Sequence, residues 1–306
     1  MKSYFNRPLL KKPHWEWEVV TYLFLGGVMG GSGMLAALAQ RSEDEPLERT
    51  SRYLSLALSV AAPAVLISHL GRPERFLHML RIVKLRSPMS MGVWGLVAYG
   101  TFSGFNAIAQ LARDGILPRW IARLEPAPLT VTMQALFGAF TAGYTGVLLS
   151  ATAIPLWAKG KYHIPAMSVC SAVAGACAIN AIALCADPSG GPAQVKLERF
   201  EACAAAMELA ILAHFRAYAG ETGKPLFEEE RGELLRSWTI GAGIVAPVLI
   251  NAASQARRKH SKRPSVVHTL LAGVLTLAGG YVLRKVLIDA GKASADDPAQ
   301  AFVQPE

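Results

Sequence analysis

Charge is scarce in this 306-residue chain: 17% of its residues are Asp, Glu, Lys or Arg, against 52% hydrophobic, and the mean hydropathy is +0.30. A soluble domain of this size carries about 25% charged residues, interleaved along its helices and strands. Here the charges fall between apolar blocks, which excludes an ordinary soluble domain and marks a polytopic membrane protein. Cysteine is equally sparse. Cys170, Cys177, Cys185 and Cys203 all lie inside apolar blocks, where a thiol acts as a small packing residue. No CxxC, CxxCH or HExxH spacing occurs, so the chain is expected to hold no iron–sulfur cluster, zinc site or covalent haem of its own. Haem b is not expected either. It needs axial imidazoles at matching depth in a bundle, and of the seven histidines all but His214 fall near span ends or in loops.

The net charge of +9 comes without the aromatic interleaving of a nucleic-acid module; basic loops beside membrane spans account for it. A cleavable signal peptide is also lacking. The apolar run after MKSYFNRPLLKKPHWEWE is too long for a signal core and ends in no small-residue cleavage pattern, so it is expected to remain as a span.

Apolar sequence is what the chain has in abundance. A span takes about 20 apolar residues, and eight are expected: Val19–Ala39, Tyr53–His69, Met89–Leu111, Leu129–Ile154, Ile164–Ala186, Phe200–Ala219, Trp238–Ser254 and Val266–Leu287. The sixth carries Glu201, Glu208, His214 and Arg216, which leaves seven spans as the competing count. The expected fold is an all-α integral membrane protein of eight transmembrane helices in two four-helix bundles. Residues 1–18 form an N-terminal segment, 19–157 a first bundle, 158–289 a second, and 290–306 a polar tail. Basic residues lean toward the side of the termini, yet the densest cluster, RRKHSKR, falls on the other side. The positive-inside rule therefore leaves orientation open.

Residues 68–90, SHLGRPERFLHMLRIVKLRSPMS, interrupt the apolar pattern with five cations, two histidines and two prolines. Gly71 can end a helix in the left-handed conformation, and Pro73 suits the first turn of a new one. Phe76, Met79, Leu80 and Val83 then fall on one face, as in an amphipathic helix lying at the membrane interface. Ser87 and Pro88 read as the N-cap and first residue of the third span. Two roles suit the stretch: an anchoring loop, or a surface on which Arg72 and its neighbours face a partner or an anionic group.

Three segments in order, TYLFLGGVMGG, HLGRPERFLHMLRIVKLRSPMSMGVW and GYTGVLLSATAIPLWA, resemble the NrfD / polysulfide-reductase membrane-subunit family. The resemblance implies an eight-span subunit of a respiratory oxidoreductase complex in the bacterial inner membrane, free of haem and clusters and not catalytic alone. It implies a quinone or quinol (menaquinone or ubiquinone) bound near the membrane surface. It also implies electron exchange with a ferredoxin-like iron–sulfur subunit, which serves a molybdenum-type or hydrogenase-like catalytic subunit. On this resemblance the basic hinge lies beneath the iron–sulfur partner, with Arg72, Arg75, Lys84 and Arg86 at the interface. A purely structural anchor is the alternative, and a proton- or ion-translocating transporter-like subunit a further one.

The same resemblance points to quinone-binding candidates. Glu18 and Tyr22, one helical turn apart, match polar positions at the entrance of the first span, where the family has an amide and an imidazole. His69 stands where the family has an acid before LGRP, beside Arg72. Tyr144, in GYTG, matches a tyrosine that hydrogen-bonds the quinone. Each has an ordinary alternative: a solvated acid at a helix start for Glu18, interface anchoring for Tyr22 and a packed phenol for Tyr144. Glu201, Glu208 and His214 form a candidate proton pathway, or pair with cations and hold the bundle. The glycines of GGVMGGSG suggest a close helix crossing rather than a ligand slot.

Overall fold

The computed structural model describes residues 10, 12–72, 74–118, 120, 128–257 and 264–297. Pro73, the basic loop 258–263 and the last part of the expected tail lie outside them. Every element among the described residues is helical.

α1, Trp17–Arg41, has Glu18 in its first turn and Arg41 in its last, each sign of charge opposing the local end of the helix dipole. Residues 42–44 turn the chain, with Glu43 at φ +51. α2, Glu45–His69, then opens on Pro46, a residue whose missing N–H costs nothing in a first turn. This corrects the expected start at Tyr53. The extra turns carry Glu48 and Arg52, both buried and ion-paired at 2.6 Å across one turn. The charges that read as a loop neutralise each other inside the bundle.

Gly71, at φ +61, ends α2 as expected. α3, Glu74–Met79, buries none of its residues; a short helix follows the hinge as expected, but it stops before Leu80 and Val83, which the expected apolar face included. α4, Pro88–Arg113, starts at Ser87, whose hydroxyl accepts the Ser90 N–H at 3.4 Å. α5 spans Pro128–Ser150, the short α6 Pro155–Lys159, and α7 His163–Ala183 with a tight turn to Ala186. α8, Gly191–Ala219, begins well before Phe200. After α9, Lys224–Phe227, comes one continuous rod: α10, Glu229–Leu234, a π-helical stretch Leu235–Val245, and α11, Ala246–Arg257. α12 runs from Val266 to Asp296, past the expected end at Leu287.

Among the described residues, five helices are long and apolar enough to cross a membrane: α1, α2, α7 with its final turn, the rod from Glu229, and α12. α4, α5 and α8 match them in length but carry buried Asn106 and Gln110, Gln134, and Glu201 and Glu208, respectively. Such groups lower mean hydropathy without exposing polarity to lipid, because they face partners inside a bundle.

α1 is the hub, packing on α2, α5, α7 and α12. Its crossing with α5 is a backbone contact. A Cβ built on Gly30 would lie 2.3 Å from the Gly138 carbonyl oxygen, so the glycine stripe serves helix crossing. The chain entering α1 is held from behind. Trp15 stacks on Trp157 at 5.4 Å, Trp157 Nε1 donates to the Leu287 carbonyl at 2.9 Å, and Lys292 donates to the Trp15 carbonyl at 2.5 Å.

Candidate functional site

Where α1 begins, α2 and α5 end and α4 begins, the helices leave a cavity of about 350 Å³. Trp15, Val19, Leu66, Leu70, Met79 and Leu148 supply apolar walls, and His14, Tyr22 and Tyr144 the polar groups. That is the size and make-up of a small-molecule site: an apolar slot with few polar fixtures.

Tyr144 stands in the α5 wall with the phenol end of its ring against Gly92 of α4. A Cβ at Gly92 would come within 2.1 Å of the phenol carbon and oxygen, so the ring position depends on that glycine. Its hydroxyl donates to the Pro88 carbonyl at 3.1 Å, and Phe140 leans on it at 5.7 Å between ring centres. Tyr22, buried on α1, lines both this cavity and a smaller void next to it.

The structure thus brings Tyr22 and Tyr144 onto one cavity. It does not bring Glu18 or Arg72 there. Glu18 is half-buried one turn before Tyr22 and outside the lining, and Arg72 is exposed beyond the Gly71 turn. The side chain of His69 lies outside the described residues; the next residue, Leu70, lines the cavity. Arg75, Lys84 and Arg86 are exposed on the same hinge, interleaved with exposed Leu77, Ile82, Val83 and Leu85.

Sequence reasoning missed His14, Trp15 and Gly92. The first two precede the apolar run, so hydropathy leaves them in the N-terminal segment, although the adjacent HWEW aromatics were a usable signal. Gly92 is one of many glycines, and only its contact with Tyr144 singles it out.

The α8 carboxylates are elsewhere. Glu201 accepts hydrogen bonds from Thr276 at 2.5 Å and Asn251 at 3.2 Å, and Glu208 faces the charge of Arg284. Buried Arg284 donates to Ser171 Oγ at 2.5 Å and the Ser168 carbonyl at 3.3 Å. Glu201 and Glu208 line one narrow void of about 10 Å³. His214 is not with them. It lies exposed on α8, its Nδ1 2.8 Å from Nε2 of His163.

A multi-pass helical membrane protein with an apolar cavity at one end of its first helices is the class these features define. Within that class the chain belongs to the NrfD family, described as "Polysulphide reductase, NrfD", whose model matches residues 8–295. It is similar to "Protein NrfD" of Escherichia coli (strain K12), 25% identical over 309 residues, covering 91% of this chain and 95% of that relative. It is likewise similar to "Protein NrfD homolog" of Haemophilus influenzae, 25% identical over 310 residues with 91% and 94% covered.

Proposed function

We propose that the chain is the quinone-reactive subunit of a bacterial inner-membrane respiratory oxidoreductase, exchanging electrons with an iron–sulfur subunit docked on the α3 hinge. On this reading α4, α5 and α8 cross the membrane beside the five more apolar rods, making eight crossings. The observation that carries it is the apolar cavity with Tyr22 and Tyr144 on its walls, lying directly under Leu70, Met79 and the exposed cations of the hinge.

A quinone headgroup is a flat apolar ring with two carbonyl oxygens, and supplies two-electron, two-proton redox chemistry when bound. The chain offers what such a ring needs. Aliphatic and aromatic side chains exclude water, and the phenols of Tyr22 and Tyr144 donate hydrogen bonds. Tyr144 already points its proton at a carbonyl oxygen, that of Pro88, and can exchange it for a ligand's. His14 adds an imidazole at the rim. The hinge cations suit an acidic partner surface carrying a cluster within electron-transfer reach, and that partner would serve a molybdenum-type or hydrogenase-like subunit. Glu201 and Glu208, buried together, are a candidate proton-holding pair in the second half of the chain, whereas His214 lies outside that cluster.

Tyr144→Phe keeps the ring against Gly92 and removes the donor. Quinone-coupled turnover of the intact complex should fall about tenfold, the worth of one hydrogen bond, with dye-coupled activity of the partner retained. Unchanged quinone turnover would remove Tyr144 from the site.

The exposed hinge also supports a second reading, a structural anchor. Reversing Arg72 and Arg75 to Glu separates the two. Both predict weakened assembly, but an anchor predicts normal quinone turnover per residual complex, whereas the quinone-reactive reading predicts that it falls.

A further inference from the structure

The second half of the chain encloses a small polar site of its own. Where α7 ends, α8 begins, α11 ends and α12 begins, Gln194, Glu198, Glu201, Asn251 and Thr269 line a void of about 10 Å³. We infer that this void is a binding site for one alkali-metal cation, held by side-chain oxygens of those residues. The site is separate from the first cavity and stands whatever that cavity binds.

Gln194 is the telling residue. Its side chain is buried, and its Nε2 donates to the Ala181 carbonyl at 3.0 Å and to Cys185 Sγ at 3.3 Å. Those contacts fix which end of the amide is nitrogen, since the reverse would set its oxygen against a carbonyl oxygen. Oε1 is then left buried with no donor among the described residues. A buried amide oxygen in that state is costly unless an occupant of the void supplies its partner.

The other lining groups offer oxygens too. Asn251 spends its amide nitrogen on Glu201 at 3.2 Å, which leaves its oxygen as an acceptor. Thr269 donates its proton to the Ser265 carbonyl at 3.2 Å, and its lone pairs stay available. Glu201 meets only neutral donors, Thr276 and Asn251, and no lysine or arginine is among the described residues that line the void. Glu198 accepts from exposed Gln255 at 3.2 Å, so this carboxylate marks the way in from the face opposite the α3 hinge. Glu201 also borders the void it shares with Glu208, and a cation here sets the charge that pair carries.

Size and charge select the ion. The void has room for roughly one water-sized particle, and an all-oxygen set suits a hard cation rather than a soft one. Magnesium keeps several of its waters, and calcium takes about six to eight oxygens; the void is too small for the first and its lining too sparse for the second. A single positive charge also costs less to bury than a double one.

Hydrogen bonds between helices hold bundles together, and that role covers Asn251, Thr276 and Glu201. It leaves the Gln194 oxygen unanswered. A water would serve that oxygen but would not offset a carboxylate inside a membrane bundle. A cation does both.

The test is filter binding of radiolabelled sodium to the intact complex in detergent, with choline chloride holding ionic strength constant and potassium chloride as competitor. Binding should saturate and be displaced by excess unlabelled sodium or potassium but not by choline. Glu201→Gln keeps the shape and removes the charge, and should weaken binding about tenfold. Thr269→Val removes one oxygen, should weaken it about fivefold, and decides the matter if Glu201→Gln does not assemble. No saturable binding to the wild-type complex overturns the site, leaving the void to water or the carboxylates to a proton. Binding that is unchanged in the variants places the ion elsewhere in the complex and overturns it equally. Neither result bears on the quinone reading of the first cavity.

Discussion

At the scale of single residues, contact distances say which side chains can be tested. Gly92 has no chemistry of its own, yet the Tyr144 ring occupies the space its Cβ would fill. Gly92→Val should therefore displace the phenol and reshape the cavity; on the proposed quinone reading, quinone extracted per complex should fall below about a tenth of the wild-type level while Tyr144 itself is intact. Gly30 and Gly138 are a different case, because their neighbours are backbone and cannot move aside. Gly138→Val should cost more than about 2 kcal/mol and show as lost membrane-inserted protein. Of the expected site residues, Tyr22 and Tyr144 share one cavity wall, a meeting the motifs pointed to. His14 was not, because its place on the cavity depends on Trp15 stacking on Trp157 from a distant segment.

At the scale of elements, buried charge decides where helices begin and end. Hydropathy starts α2 at Tyr53 because Glu45, Glu48, Arg49 and Arg52 read as a loop, but the helix starts at Glu45. The Glu48–Arg52 pair makes the difference, with Arg113 also 3.2 Å from Glu48. Glu48→Ala leaves Arg52 buried without its counter-charge and should destabilise the protein by about 3–5 kcal/mol, read as a drop in the melting temperature of detergent-solubilised protein. The same blindness shortens α8 and α12. The far turn of α12 is held by contacts: Lys292 reaches the Trp15 carbonyl, and Lys12 pairs with Asp296. Lys292→Ala should loosen the segment before α1, seen as faster amide exchange and proteolysis around Trp15, with the spans unaffected.

At the scale of the whole molecule, the division of surfaces carries the functional reading. One end shows an exposed basic hinge above an apolar cavity, and the other shows a polar cavity of mixed charge. Docking on Arg72, Arg75, Lys84 and Arg86 would be electrostatic. Association with the partner should weaken steeply as ionic strength rises past about 0.15 M, where the screening length shrinks to about 8 Å. Charge reversal at Arg72 and Arg75 should weaken it further, measured by co-purification.

Composition and order of residues were enough to establish a polytopic helical membrane protein, a hinge after the second span, and Tyr144 as a residue to watch, since these rest on local properties: apolar run length, glycine and proline stereochemistry, and a short motif. Only the packed structure decided that Glu48 and Arg52 belong inside a helix, that His14 and Gly92 shape the cavity, and that Ser55, Tyr99, Asn106 and Gln134 form one hydrogen-bonded cluster. Those residues come from different helices and look unrelated along the chain. They meet because a polar group inside a membrane bundle must find its partner on a neighbouring helix.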